Sequence, residues 1–287
     1  MANSNGTLAL LVVHAHPDDE SIGTGGTLAR YADEGIRTGL VCCTRGEEGQ
    51  ILDPALDSDE AKPRLGAIRE SELRSAASIL NVSELYFLGY RDSGMEGSEA
   101  SANPDNFINA NPDEAAGRLA AIIRELRPQV VVTYDERGGY GHPDHKMAHR
   151  ITRAAIERAA HDDAGEPGWR VLKLYYTVIA LDTLLQANEQ LKSRGLPSPF
   201  DTGDVSLDIR QFAAPDEVIN ARIDVGRYQA TVERALRAHR TQIRDDDILL
   251  ALPDDIKGQL FSVEHYIRAF SAVAVPQQET DLFAGLR

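Results

Sequence analysis

Apolar and polar positions follow two rhythms along this chain. Nearly continuous apolar runs at residues 7–15 (TLALLVVHA), 37–44 (RTGLVCCT), 84–90 (ELYFLGY), 129–135 (QVVVTYD) and 171–180 (VLKLYYTVIA) predict buried strands. Amphipathic segments between them predict helices over 25–35, closed by Gly35, and over 64–80 and 145–160. A fourth predicted helix, 111–128, opens on Asn111-Pro112 and stops at Pro128. Beyond residue 180 the rhythm loosens. The runs 182–195, 227–243 and 256–270 read as helices and 220–225 as a strand, with Gly/Pro-rich surface connections near 195–205 and 212–217.

Apolar strands separated by amphipathic helices describe a parallel sheet covered on both faces. The expected fold class is therefore α/β. A Rossmann-like, mostly parallel sheet with helices on both faces would occupy about residues 7–180. A C-terminal helical extension would follow over about 181–287, all within one domain, 1–287.

Charge narrows the partners. The chain has 287 residues and a formal net charge of -15, which repels phosphate backbones and anionic lipid. A small polar molecule is the better partner, and nucleic acid and membrane surfaces are not expected. Cys42 and Cys43, the only cysteines, are neighbours in a strand and point to opposite faces. They are expected to be reduced core residues, which favours the cytoplasm. The opening MANSNGT resembles no signal peptide, and no run reaches the roughly 18 apolar residues of a membrane span. A homo-oligomer is compatible with all of this.

Chemistry gathers at two strand ends. The first strand runs into HAHPDDE and the fourth into YDERGGYGHPDH, residues 134–145. Five of the eight histidines (His14, His16, His142, His145, His149) lie in or beside these segments. Open parallel sheets bind ligands outside the carboxyl ends of their strands, so the two loops are read together. His16, Asp19 and His145 form a two-histidine, one-carboxylate set suited to a divalent ion with open positions. Beside them Asp18 would take a proton from a metal-activated water. His142 would face the far side of the substrate, oriented by Asp144, and Tyr140 would offer a phenol to a developing oxyanion. His14 is read as a packing or supporting residue. His239, on an amphipathic helix, is read as surface or interface and left outside the site.

These residues carry a resemblance. AHPDDE with a distant GHPDH is similar to the zinc-dependent N-deacetylases that include the LmbE-like and PIG-L proteins. The likeness is greatest to the mycothiol branch: the N-acetylglucosaminyl-inositol deacetylase and the mycothiol S-conjugate amidase. It extends to CTRGEEGQI, RESEL, RDSGM, LRAHRTQI and TDLFAGL. The resemblance implies Zn2+, with Fe2+ also possible, bound by His16, Asp19 and His145, and Asp18 as general base. It implies that His142 protonates the leaving amine or steadies the oxyanion, that Asp144 tunes His142, and that Tyr140 polarises the carbonyl. It also implies that Arg69 and Asp92 grip sugar hydroxyls and that Glu47 walls the pocket. The expected reaction is removal of acetyl from an N-acetylglucosamine-containing small molecule such as N-acetylglucosaminyl-inositol.

Other readings compete. A mycothiol conjugate, a malate glycoside or chitobiose would serve the same chemistry. A non-haem iron oxygenase also uses two histidines and a carboxylate, often spaced as His16-x-Asp18 is. The alternation of strand and helix argues against it. A non-catalytic binding protein on this fold would not need the base and acid that the sequence retains.

Overall fold

The computed structural model describes residues 7–163, 165, 167–198, 209–211, 213–244, 246–247 and 250–287. The opening MANSNG and most of the 195–205 connection therefore lie outside the described residues.

The elements run β1 (Ala9–His14), α1 (Asp19–Gly23), α2 (Gly25–Asp33), β2 (Arg37–Thr44), α3 (Ser58–Ala61), α4 (Leu65–Ile79), β3 (Glu84–Tyr90) and α5 (Pro112–Leu126). They continue as β4 (Val130–Tyr134), α6 (Pro143–Ala159), β5 (Lys173–Val178), α7 (Leu181–Ser193), β6 (Ala221–Asp224), α8 (Gln229–Ala238), α9 (Asp254–Phe261) and β7 (Val263–Ser271). Seven strands form one sheet in the order β3-β2-β1-β4-β5-β7-β6. The first five are mutually parallel, and β7 is antiparallel to both β5 and β6.

Alternation along β1 shows why the sheet is covered twice. Ala9, Leu11 and Val13 pack toward α5 and α6, while Leu10 and Val12 pack toward α2 and α4. All five are essentially buried, and each large one contributes about 1.5–3 kcal/mol relative to exposure. Local signals act as the sequence suggests. The Asn111 side chain accepts the N–H groups of Asp113 and Glu114 and starts α5. His142 caps α6 in the same way, its ring accepting the Asp144 N–H at 3.1 Å.

The C-terminal third departs from the expected helical extension. The run 256–270 is helical only to Phe261, after which Val263–Ser271 forms β7. The physical reason lies far away in sequence. In a strand, Glu264 reaches the start of α2, where its carboxylate accepts the N–H groups of Gly26 (2.7 Å) and Thr27 (2.9 Å). Buried Tyr266 meets Thr27 on the same side. The helix expected over 227–243 likewise ends at Ala238, because His239 turns inward. The chain end is tied to the sheet by Glu279, which accepts from buried Lys173 at 2.5 Å and from Tyr175 at 2.9 Å.

Candidate metal centre

Strand order reverses at β1, which has β2 on one side and β4 on the other. The crevice at that point is flanked by the loops that leave β1 and β4. Tyr134, the last residue of β4, connects them. Its hydroxyl donates to Asp19 Oδ2 (2.7 Å) and accepts the Ala15 N–H (2.8 Å). Its ring stacks on His145 with centroids 4.0 Å apart. The sequence reading missed Tyr134, although its place at a strand end beside the second loop was a usable signal.

The separations around His16 decide what this crevice can hold. His16 Nδ1 lies 3.3 Å from Asp19 Oδ2 and 3.3 Å from His145 Nε2, and those two atoms are 3.5 Å apart. A tetrahedral ion with bonds of about 2.0–2.2 Å sets its ligands about 3.3–3.6 Å from one another. The triangle therefore fits a divalent ion, and the residues are two imidazoles and one carboxylate. On its other side, His16 Nε2 meets Asp144 Oδ2 at 3.2 Å and Asp92 Oδ1 at 3.5 Å. His16, Asp92, His142 and Asp144 likewise bring one donor atom each within 4.8 Å of one another. Access separates the two sides. The Asp144 side chain is fully buried and the Asp92 side chain 5 % exposed, whereas Asp19 is 14 % exposed. The Asp19 side is the one open to a ligand.

Electrostatics follow from this crowding. Burial opposes charge on His16, but Asp144, Asp19 and Asp92 outweigh it and hold the imidazole well above its ordinary pKa. Burial likewise opposes charge on Asp19, yet His145 and His16 hold its carboxyl well below the carboxylate range. The protein thus surrounds one imidazole with three carboxylates, a surplus of negative charge suited to a cation. At Asp18, burial pushes the carboxyl up to about 6, against the opposing pull of Arg69. That is the range in which a carboxylate exchanges protons near neutrality. Asp18 also carries backbone strain, with φ 110°. Such a conformation costs a non-glycine residue on the order of 1–3 kcal/mol.

His142 sits against His16, ring centroids 4.5 Å apart. Burial, reinforced by His16 and His145, pulls it down to about 4. Its Nδ1 accepts the Asp144 N–H, which assigns the proton of the neutral ring to Nε2. The Tyr140 ring lies 5.0 Å from that of His145, and the residue is exposed.

The other expected site residues have these partners in the structure. The Asp144 carboxylate serves His16 and accepts from the N–H and hydroxyl of Ser93, and it meets His142 only through the backbone and through space. Arg69 is 3 % exposed and gives its donors to Gly46 O (2.7 Å), Pro17 O (2.6 Å) and Asp18 Oδ2 (3.1 Å). Its guanidinium lies so close to Gly46 and Gly49 that a Cβ on either would come within 2.3 or 2.4 Å of Nη1. Asp92 accepts the N–H groups of Gly94 and Glu48, and Glu47 accepts that of Asp92. Arg69 and Asp92, expected to grip sugar hydroxyls, and Glu47, expected to wall the pocket, thus all hydrogen-bond the backbone of the loops around the site. Both terminal nitrogens of Arg69 and the carboxylates of Asp92 and Glu47 are engaged, because the loops after β1, β2 and β3 carry backbone groups that no strand satisfies.

The remaining histidines divide. His14 is buried against Thr24 (2.9 Å), and His149 against the Tyr134 carbonyl (3.0 Å), so both pack rather than face the crevice. His239 corrects the surface reading. It is fully buried, and its Nε2 meets Glu20 Oε1 at 2.7 Å. Glu20 was also missed, though it is the third acid of the HPDDE run.

An open α/β sheet with imidazoles and carboxylates converging at its switch point defines the class: an α/β protein with a candidate hydrolytic metal centre. The chain belongs to the PIG-L family, described as GlcNAc-PI de-N-acetylase, whose pattern its residues 11–156 match. It is 44% identical to the 1D-myo-inositol 2-acetamido-2-deoxy-alpha-D-glucopyranoside deacetylase of Geodermatophilus obscurus, over 96% of this chain and 97% of the relative. It is 45% identical to the protein of the same name from Acidothermus cellulolyticus, over 97% and 95%. Among solved structures, the N,N'-diacetylchitobiose deacetylase from Pyrococcus horikoshii shares the fold, with a TM-score of 0.58, 20% identity, and coverage of 92% of this chain and 84% of that one. No helix among the described residues is long and apolar enough to cross a membrane.

Proposed function

We propose that this chain is a metal-dependent amide hydrolase that releases acetate from an N-acetylglucosamine-containing small molecule, N-acetylglucosaminyl-inositol being the favoured substrate. The observation that carries the reading is the triangle of His16 Nδ1, Asp19 Oδ2 and His145 Nε2, with Asp18 adjacent. The substrate rests on the names of relatives that are 44% and 45% identical over nearly the whole chain.

His16, Asp19 and His145 would hold the ion, for which Zn2+ is preferred and Fe2+ also suits the donors. When bound, it supplies Lewis acidity that lowers the pKa of water toward ~7 and polarises the acetyl carbonyl. Asp18 takes a proton from the attacking water. The Nε2–H of neutral His142 and the Tyr140 hydroxyl donate to the carbonyl oxygen as charge builds there. Because Nδ1 of His142 already accepts a backbone N–H, that ring serves better as a hydrogen-bond donor than as a proton source. Asp18 returns its proton to the amine nitrogen as the C–N bond breaks, leaving free amine and acetate.

The test is Asp18→Asn in the full chain, loaded with Zn2+ or Fe2+ and offered N-acetylglucosaminyl-inositol, with released amine measured. Metal content should match the parent, and turnover should fall by roughly 10²–10⁴-fold. An Asp18→Asn variant turning over near the parental rate at full metal loading would falsify the assignment of the base. A parent that releases no amine from any N-acetylglucosamine glycoside, with either metal, overturns the reaction.

A further inference from the structure

Asp18 holds a backbone conformation that side chains avoid, φ 110° and ψ -30°. Something must keep it there. Its side chain accepts from Arg69, and its N–H donates to Glu20 Oε2 at 3.0 Å. Glu20 is 1 % exposed, and its second oxygen is taken by Ser21 Oγ at 2.5 Å and by His239 Nε2 at 2.7 Å.

His239 comes from the far end of the chain and is itself firmly placed. It ends α8, which packs on α1, α2 and α4. The carbonyl of His239 accepts the N–H groups of Gln242 and Ile243. Thr241, two residues on, is held by both carboxylate oxygens of Glu72 on α4. The imidazole is fully buried, and its Nδ1 has no hydrogen-bond partner among the described residues. A purely packing role does not require a buried imidazole with one idle nitrogen, since an apolar side chain would avoid that desolvation. The nitrogen facing Glu20 is the one that matters.

We infer that His239 and Glu20 are positioning residues: His239 fixes the Glu20 carboxylate, which grips the Asp18 N–H and keeps the strained backbone aimed so that the Asp18 carboxylate faces the reacting water. The inference rests on the proposal that Asp18 is the base, and it makes the C-terminal third part of the reaction geometry. Neither residue touches substrate or metal in this scheme.

The test uses the full, zinc-loaded chain with His239→Ala, His239→Gln and N-acetylglucosaminyl-inositol. Gln can still donate to Glu20. For His239→Ala, kcat should fall by about 10–10²-fold, the cost of a misplacement near 1 Å, with KM and zinc content within twofold of the parent. His239→Gln should restore most of kcat, which a general loss of packing would not predict. A second readout needs no turnover: in amide hydrogen exchange the Asp18 N–H should lose protection in His239→Ala and keep it in His239→Gln. If His239→Ala does not fold, His239→Gln decides alone. With its metal in place but kcat reduced more than tenfold, or Asp18 unprotected, it refutes the clamp. Unchanged kcat and unchanged Asp18 protection in His239→Ala also overturn it. If the parent shows no deacetylase activity, the functional reading fails, and the Asp18 exchange pattern alone decides whether the clamp exists.

Discussion

Gly49→Ala isolates what Arg69 does. Gly49 does not take a positive φ, so its backbone accepts alanine without strain. The new Cβ, however, would stand 2.4 Å from Arg69 Nη1 and 2.7 Å from Gln242 Oε1. Ordinary contact asks for about 3.5 Å, so the guanidinium must retreat by about 1 Å. A long exposed side chain would do so cheaply. Arg69 cannot, because it is buried, Gly46 closes the opposite side, and three acceptors hold it at 2.6, 2.7 and 3.1 Å. A shift of that size breaks at least two of these charged-donor hydrogen bonds. At about 1.5–3 kcal/mol each, partly recovered by rearrangement, the loss is about 2–4 kcal/mol. In a chain of this size that lowers Tm by roughly 3–7 °C. Asp18 loses its guanidinium partner at the same time, so turnover should drop by about 10–10²-fold with metal content intact. Calorimetry and amine-release kinetics on one preparation measure both. Gly89→Ala serves as the control. It has φ 79° and no neighbour within 4 Å, so it should cost about 1 kcal/mol and leave turnover alone. Parental Tm and kcat in Gly49→Ala would show that Arg69 is not fixed as described.

Three further substitutions test separate parts of the structure. Ser93→Ala removes the hydroxyl that donates to Asp144 beneath His16, and zinc affinity measured by competition with a chelator should weaken by about 10–100-fold. Lys173→Met leaves the buried Glu279 carboxylate with Tyr175 and Arg268 only, which should cost about 3 kcal/mol in denaturant unfolding. Gly258→Ala, within α9 and with nothing inside 4 Å, should raise stability by about 0.5–1 kcal/mol; a lower Tm would contradict the open space seen there.

Local pattern was enough for the five parallel strands and for α2, α4, α5 and α6, because each buries an apolar stripe whose period is written in the sequence. It also placed His16, Asp19 and His145 at adjacent strand ends, and in the structure the three side chains converge. What escaped depends on partners distant in sequence. Val263–Ser271 continues the apolar content of α9 without a break, and its strand state is set by β5 and by the Glu264 contact with α2. Buried Glu20 and His239 each look like surface residues until the other is present. Arg69, Asp92 and Glu47 were located near the site, but the loop backbone that absorbs their hydrogen bonds was invisible, because unpaired N–H and C=O groups carry no sequence signature.

The Glu20–His239 contact spans 219 positions, and this has a bearing on biosynthesis. His16, Asp19 and His145 have all been synthesised by position 145. His239 follows His145 by 94 residues. A nascent chain would therefore possess its ion-binding groups before the Glu20–His239 contact can form, and the clamp on Asp18 would have to wait for His239.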